Sequence, residues 1–341
     1  MKLTIERRKL HLKHPFLIAR RMDDRSTDKQ VLLVKLEHKG KVGWGEAAPI
    51  SYYHQSLDSA ERALKEMAGM LGDDPFALDA ILDPIWAKFA DQSAAICALD
   101  GALHDLIGKL LDVPVWKLLG LDRNRTPLTS FTIGIDTPDV VARKVDEAAE
   151  FPILKIKVGT DQDETMLNII RDKAPHKKLF VDANCGWTPA NVVERCRFVS
   201  RYKLELIEQP MPPGEHAGLA EVRAELREPI IADESCVGVD DVLKCAQHFD
   251  GINIKLSKCG GLRRALQMIH TARSAGMKVM LGCMVETSVG IALAANLAPL
   301  VDFVDLDGHM LLADDPFEGI GGANGVLTLN DRPGLGIVER K

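Results

Sequence analysis

Two lysines, Lys155 and Lys157, alternate with aliphatic residues in the run Ile153-Leu154-Lys155-Ile156-Lys157-Val158-Gly159. Period-two alternation puts both ammonium groups on one face of a strand and Leu154, Ile156 and Val158 on the other. Burying two ammonium groups is costly unless something on their side of the strand uses them. Downstream of Lys157, the residues Asp182, Glu208, Asp233, Lys255 and Asp305 follow at successive steps of 25, 26, 25, 22 and 50, each at the end of a short aliphatic run. Three carboxylates on consecutive strands repel one another unless a cation sits among them. An all-oxygen set with room for water suits Mg²⁺, with Mn²⁺ as a substitute. A lysine on either flank of that acidic arc, Lys157 before it and Lys255 after it, suits removal of a proton next to a carboxylate. The cation would neutralise the enediolate, and burial near other cations would lower the amine pKa toward neutrality. Two amines on opposite faces can take a proton from one side and return it from the other, which is racemisation or epimerisation.

The elements that must position these residues follow from the same spacing. Strand patterns fall at 130–135, 153–158, 179–184, 205–208, 230–233, 251–256, 278–282 and 301–305, with helical stretches between them. Thr137-Pro138 and Thr188-Pro189 read as helix starts, each a capping hydroxyl before a proline at the first helical position. Eight βα units of nearly constant length predict a (β/α)8-type barrel, a modified TIM barrel of the α/β class, whose strand ends meet around one mouth. Residues 1 to 50 instead read as an antiparallel meander. It is followed by a helix capped by Asp58 or Ser59, a helix after Pro75, and a third over 93–110. The expected organisation is an N-terminal α+β capping domain over 1–122, a catalytic barrel over 123–310, and a C-terminal segment, 311–341, packing back on the cap.

Composition narrows the chemistry by exclusion. A net charge of −6, with 46% hydrophobic and 27% charged residues, describes a globular chain without the basic footprint of a nucleic-acid or anionic-membrane partner. The 7 cysteines are odd in number and never spaced as CxxC, which fits reduced thiols in a cytoplasm rather than a disulfide framework or zinc site. No apolar run approaches membrane-spanning length. A small-molecule substrate is expected.

Taken together, Leu154-Lys155-Ile156-Lys157, Val181-Asp182-Ala183-Asn184, Ile207-Glu208-Gln209-Pro210, Ala232-Asp233-Glu234-Ser235 and Asn253-Ile254-Lys255-Leu256-Ser257-Lys258-Cys259-Gly260-Gly261 resemble the signatures of the enolase superfamily, muconate-lactonizing subgroup. The resemblance covers the whole chain and implies a cap closing a barrel mouth. A lysine or histidine base working beside Mg²⁺ is that superfamily's established pattern, so this part of the mechanism comes with the resemblance. Val304-Asp305-Leu306-Asp307-Gly308 resembles the dipeptide epimerases, in which two such carboxylates hold a substrate's α-ammonium group. By the same resemblance Lys157 and Lys255 are the acid and base, and Asp182, Glu208 and Asp233 are the metal ligands. Lys155 contacts the substrate carboxylate, Thr132, Asn184 and Cys283 line the site, and Glu286 supports it. Arg20, Arg21 and Arg25 in one loop and Tyr52 in another would select the dipeptide's side chains.

The expected activity is Mg²⁺-dependent inversion of the C-terminal residue's α-carbon in a dipeptide, with L-Ala-D/L-Glu as a candidate, by a protein that forms a homo-oligomer. The alternatives on the same scaffold are o-succinylbenzoate synthase, N-acylamino acid racemase and muconate cycloisomerase chemistry. A barrel that binds small acids without turning them over is the alternative from another class. Lys258 rivals Lys255 as second base, but alternation puts Asn253 and Lys255 on the inward face and leaves Lys258 beyond the strand.

Overall fold

The computed structural model describes residues 1–19, 22 and 27–340. The first unit is a three-stranded antiparallel sheet, β1 (Lys2–His11), β2 (Asp28–His38) and β3 (Lys41–Ala47), followed by the helices α1 (Leu57–Ala68), α2 (Leu78–Phe89), α3 (Ser93–Leu111) and the short α4 (Val115–Leu118). Alternation along β2 serves two cores at once. Leu32, Val34 and Leu36 pack with the cap helices, while Val31 and Leu33 join the cluster that continues into the second unit. Gly43 and Gly45 let β3 lie flush on α3, because a Cβ at either would run into the carbonyl of Ala102 or Ala98. The cap of α1 differs from the sequence expectation. It is Ser56, whose hydroxyl accepts from Ser59 N at 3.1 Å while the Ser59 hydroxyl accepts from Ser56 N at 3.0 Å. The reciprocal pair satisfies two otherwise orphaned donors, which neither Asp58 nor Ser59 could do one turn later.

The second unit alternates strand and helix: β4 (Phe131–Ile133), α5 (Pro138–Glu147), β5 (Ile153–Lys157), α6 (Asp163–Lys173), β6 (Lys178–Asp182), α7 (Val192–Ser200), β7 (Leu206–Glu208), α8 (Leu219–Glu225), β8 (Ile230–Ala232), α9 (Val239–Cys245), β9 (Gly251–Lys255), the single turn α10 (Leu256–Cys259), α11 (Leu262–Ser274), β10 (Lys278–Gly282), α12 (Ser288–Ala295) and β11 (Phe303–Asp305). The eight strands β4 to β11 pair in sequence order, all in parallel. A parallel bridge between Thr129 and Val304, with Ser130 N donating to Val304 O at 3.1 Å, brings the last strand round to the first. The sheet is the barrel that the eight-unit rhythm predicts. Thr188-Pro189 does not start a helix, however. The turn is closed by Asn191, whose side chain accepts from Thr188 N at 2.8 Å, and α7 begins only at Val192. Thr137 does precede α5 with Pro138 at its first turn, but its hydroxyl makes no capping bond.

Alternation along the barrel strands builds the interior in layers. Ile153, Phe180, Leu206, Ile231 and Met280 form a separate apolar plug, whereas Leu154, Ile156, Val181 and Ile207 belong to the larger cluster shared with the helices. Two residues beyond Ile153, Phe180, Leu206 and Ile231 stand the polar Lys155, Asp182, Glu208 and Asp233, and beyond Met280 stands Gly282; register then sets the level. Lys157 pairs with Asp182 and Asp182 with Glu208, while on the opposite side Lys255 pairs with Gly282 and Gly282 with Asp305. The chain beyond β11 carries β12 (Phe317–Glu318) and β13 (Val338–Glu339) and returns to the cap, where Leu335 N donates to Asp105 Oδ1 at 2.8 Å and Val115 N to Gly334 O at 2.9 Å. Among the described residues no helix is long and apolar enough to cross a membrane.

Candidate active site

Above the apolar plug, one buried polar layer contains most of the residues singled out in the sequence. Asp182, Glu208 and Asp233 are each 0% exposed and bring one oxygen apiece to within 4.8 Å of one another. Lys155, the inner of the paired lysines, reaches into this cluster: its Nζ lies 2.7 Å from Asp305 Oδ2, 2.7 Å from Glu208 Oε2 and 3.1 Å from Asp182 Oδ2. Lys157 Nζ lies 2.6 Å from Asp182 Oδ2, and Lys255 Nζ lies 2.7 Å from Asp233 Oδ2. The two lysines therefore enter the carboxylate cluster from different ends, by way of different acids. Asn253, on the inward face with Lys255, donates to Glu208 Oε1 at 2.8 Å.

Charge and burial divide these groups. Burial, reinforced by Lys155 and Lys255, holds Lys157 below the ordinary lysine range against the pull of Asp182. Burial acts on Lys255 in the same sense, but the carboxylate of Asp233 outweighs it and the ammonium is favoured. The two lysines are therefore shifted in opposite directions, Lys157 down and Lys255 up. Glu208 is pushed up to about 7 by burial and by Asp182. Asp182 and Asp233 stay well below the usual carboxylate range, because their lysines outweigh the cost of burial.

The donor set suits a divalent cation. All three ligand candidates are carboxylates with no nitrogen or sulfur, which selects hard cations. Their oxygens already converge to within 4.8 Å of one another in a fully buried site, as residues sharing one small hard cation must. The residues fit the ion.

Asp305 and Asp307 extend the layer beside β4, and Lys155 links Asp305 to the triad. Asp305 Oδ1 accepts from the Ser130 hydroxyl at 2.6 Å, and Asp307 Oδ2 accepts from Thr132 N at 2.7 Å. Lys155 keeps Asp305 ionised despite burial, whereas burial and the charge of Asp305 push Asp307 up to about 7. These acids are buried and ordered by strand β4, not solvated in a loop.

A cavity of about 160 Å³ opens onto this layer, and Lys155, Lys157, Lys255, Asp305 and Asp307 all line it, as do Thr132, Asn184 and Cys283. The cap contributes Phe16, Ile18, Lys29 and Ile50 to the opposite wall. A groove of about 660 Å³ lies nearby, yet it meets the small cavity only at Phe16, Thr132 and Leu311 and holds none of the converging lysines and acids. Chemistry, not size, marks the smaller space as the candidate active site.

Some expected residues stand elsewhere. Tyr52 is 38% exposed on the turn Ser51–Tyr53, with its ring against Tyr53, and the cavity wall is formed by Ile50 before it. A three-residue 3₁₀ turn swings the bulky ring outward, which the sequence could not show. Arg20, Arg21 and Arg25 lie outside the described residues. Glu286 does not line the cavity and accepts from Met284 N at 3.3 Å, with its carboxyl pushed up to about 7 by burial.

Three residues that the sequence reading did not single out organise the site. Gln209 adopts φ 34° and uses Oε1 to accept from Asp233 N at 2.8 Å and Ser235 N at 3.1 Å. Glu46, carried by β3 of the cap, accepts from Thr287 N at 3.0 Å and Gly290 N at 3.1 Å, at the start of α12. This carboxyl docks the cap on the loop that carries Cys283, and the polarity of a helix N-terminus favours it there. Lys29 is the third. Only its place on the barrel-facing side of β2, in line with Val31 and Leu33, could have marked it.

Comparison with known proteins places this geometry among relatives. Residues 1–120 match the mandelate racemase / muconate lactonizing enzyme N-terminal domain family, and residues 139–340 match the enolase C-terminal domain-like family. A Bacteroides thetaiotaomicron protein named L-Ala-D/L-Glu epimerase is 41% identical over 341 residues, covering 99% of this chain and 88% of that one. The crystal structure of an Enterococcus faecalis dipeptide epimerase complexed with Mg and L-Leu-L-Tyr superposes with a TM-score of 0.91 at 34% identity, covering 98% of each chain. A substrate-liganded L-Ala-D/L-Glu epimerase from Bacillus subtilis superposes with a TM-score of 0.92 at 32% identity, covering 99% of each.

Proposed function

The chain belongs to the mandelate racemase / muconate lactonizing enzyme family of the enolase superfamily, and on that footing we propose that it is a dipeptide epimerase inverting the α-carbon of the second residue. The observation that carries this reading is a single cavity lined by Lys157, Lys255, Asp305 and Asp307, directly over three converging carboxylates. A dipeptide zwitterion fits that order of charges, its carboxylate toward the triad and its α-ammonium toward Asp305 and Asp307.

Asp182, Glu208 and Asp233 would hold Mg²⁺, for which Mn²⁺ can substitute. The bound ion supplies positive charge to the substrate carboxylate, where negative charge accumulates as the α-proton leaves. Lys155 adds a second, fixed positive charge between the triad and Asp305. One of Lys157 and Lys255 takes the α-proton as the free amine, and the other, as the ammonium, returns a proton to the opposite face. The protonation states then stand exchanged, ready for the reverse direction. The apolar cap residues Phe16, Ile18 and Ile50 exclude water from the carbon while this happens. Lys29 on the same wall favours an acidic second side chain, which makes L-Ala-L-Glu the first substrate to test.

In D₂O, a panel of L-Ala-L-Xaa dipeptides should show α-deuteration at the second residue together with loss of optical purity, read by NMR and chiral chromatography. A panel showing neither would overturn the reading. The pH profile gives a separate check. Asp307 pushed up to about 7 is neutral below that pH and cannot pair with an ammonium group, whereas Asp305 stays ionised. The KM should therefore fall as pH rises through about 7, with kcat changing much less. Asp307→Asn should keep the KM high throughout; a KM independent of pH in the unsubstituted protein would exclude Asp307 as an ammonium contact.

A further inference from the structure

Lys258 is buried to 2% exposure beside the carboxylate cluster, and none of the roles above uses it. It projects from α10, the turn that follows β9, and its Nζ donates to Asp233 Oδ1 at 2.6 Å, Asp233 O at 2.6 Å, Cys236 O at 2.9 Å and Asn253 O at 3.2 Å. An ammonium group has three protons, and four oxygens surround them here. A saturated, charged amine turned away from the cavity is no base. It also does not appear on the cavity wall, where Lys255 does.

What it holds is the least supported of the three acids. Asp182 and Glu208 sit within strands and are paired to their neighbours, Asp182 to Lys157 and Glu208, and Glu208 to Ile231. Asp233 lies one residue past the end of β8 and has no ladder partner. A carboxylate's terminal torsion is broad and two-fold, so an aspartate in that place could offer either oxygen or neither. Lys258 fixes Oδ1 and the carbonyl of the same residue, while Gln209 fixes its N–H. Only Oδ2 is left toward the cavity, where Lys255 touches it at 2.7 Å.

We propose that Lys258 is a positioning residue for the cation, a built-in charge that clamps Asp233 so that a single oxygen faces the metal. This rests on the divalent-cation reading of the triad. The test is isothermal titration of Mg²⁺ into the full chain and into Lys258→Met, with circular dichroism to establish folding. The removal of a ligand's supporting partner typically weakens metal affinity by about 10- to 100-fold, and that loss is expected. Lys258→Gln retains donors for the carbonyl oxygens and removes the charge, so it should fold and lose affinity in the same direction if the Met variant does not fold. Deuterium exchange from both epimers should fall together at low Mg²⁺ and recover at saturating Mg²⁺. Unchanged Mg²⁺ affinity in a folded variant overturns the clamp. Selective loss of exchange from one epimer at saturating Mg²⁺ also overturns it, by making Lys258 a base. A parent chain that binds no divalent cation overturns the reading of the triad as well, which tells the two failures apart.

Discussion

Lys157→Ala and Lys255→Ala should each lower epimerisation by roughly 10²- to 10⁴-fold, the contribution of a positioned acid or base, and the two variants should fail in mirror-image ways. A variant retaining one lysine can still remove and return a proton on that lysine's face. In D₂O it should wash deuterium into one epimer of the dipeptide without inverting it and leave the other epimer untouched. Replacing the other lysine should exchange the two outcomes. Proton NMR of each pure epimer, followed separately, reads this directly. A single-base mechanism predicts that one variant loses exchange from both epimers while the other loses little, and that pattern would remove the two-base reading. Lys155→Ala is the internal control. Its ammonium contacts Asp182, Glu208 and Asp305 at once, so its loss should suppress exchange from both epimers together. Folding should survive the substitutions at Lys157 and Lys255, since Asp182 keeps Lys155 and Asp233 keeps Lys258 as partners.

Removing divalent cations should have the larger effect still. After chelation and gel filtration turnover should drop to background, because without the ion the carboxylate that must accept negative charge faces three buried carboxylates. Added Mg²⁺ should restore it, and Mn²⁺ should substitute. The same titration should raise the unfolding temperature, since an ion that binds only the folded chain stabilises it by about 2.7 kcal/mol at a hundredfold excess over Kd. Differential scanning fluorimetry and elemental analysis of the chelated protein together decide the matter. Full turnover by protein shown to be metal-free would overturn the assignment of Asp182, Glu208 and Asp233 as metal ligands.

The preference among side chains is where the relatives diverge. The Bacteroides thetaiotaomicron protein is named for Ala-Glu and the Enterococcus faecalis structure holds Leu-Tyr, although each shares a third or more of its residues with this chain. The cap wall of the cavity, with Phe16, Ile18, Lys29 and Ile50 here, belongs to segments outside the barrel rhythm. Specificity can change there without disturbing strand register or the plug beneath, as is usual for loops carried on a rigid scaffold.

The layer at the strand ends was legible in the chain before any coordinates because its cause is local. Period two decides that Lys155 and Lys157 point inward while Leu154 and Ile156 point out, and the repeat of about 25 residues decides that Asp182, Glu208 and Asp233 arrive at the same end of successive strands. Register then only had to be consistent, and parallel pairing of Lys157 with Asp182 and Asp182 with Glu208 makes it so. Other features had no local signature. Glu46 and Thr287 are 241 residues apart when they dock the cap on the barrel, and nothing in the periodicity of either segment announces the other. The reassignment of Lys258 from rival base to the partner of Asp233 needed the turn after β9 and the Asp233 and Cys236 carbonyls in one frame. Tyr52 turned outward and Ile50 inward through one 3₁₀ turn, a choice made by packing rather than by residue type. The sequence by itself determined which groups stand around the barrel mouth, because strand alternation and repeat length are properties of neighbouring residues. Only the tertiary structure decided which of them touch, which are already saturated and what closes over them, because those are contacts between segments that meet through folding alone.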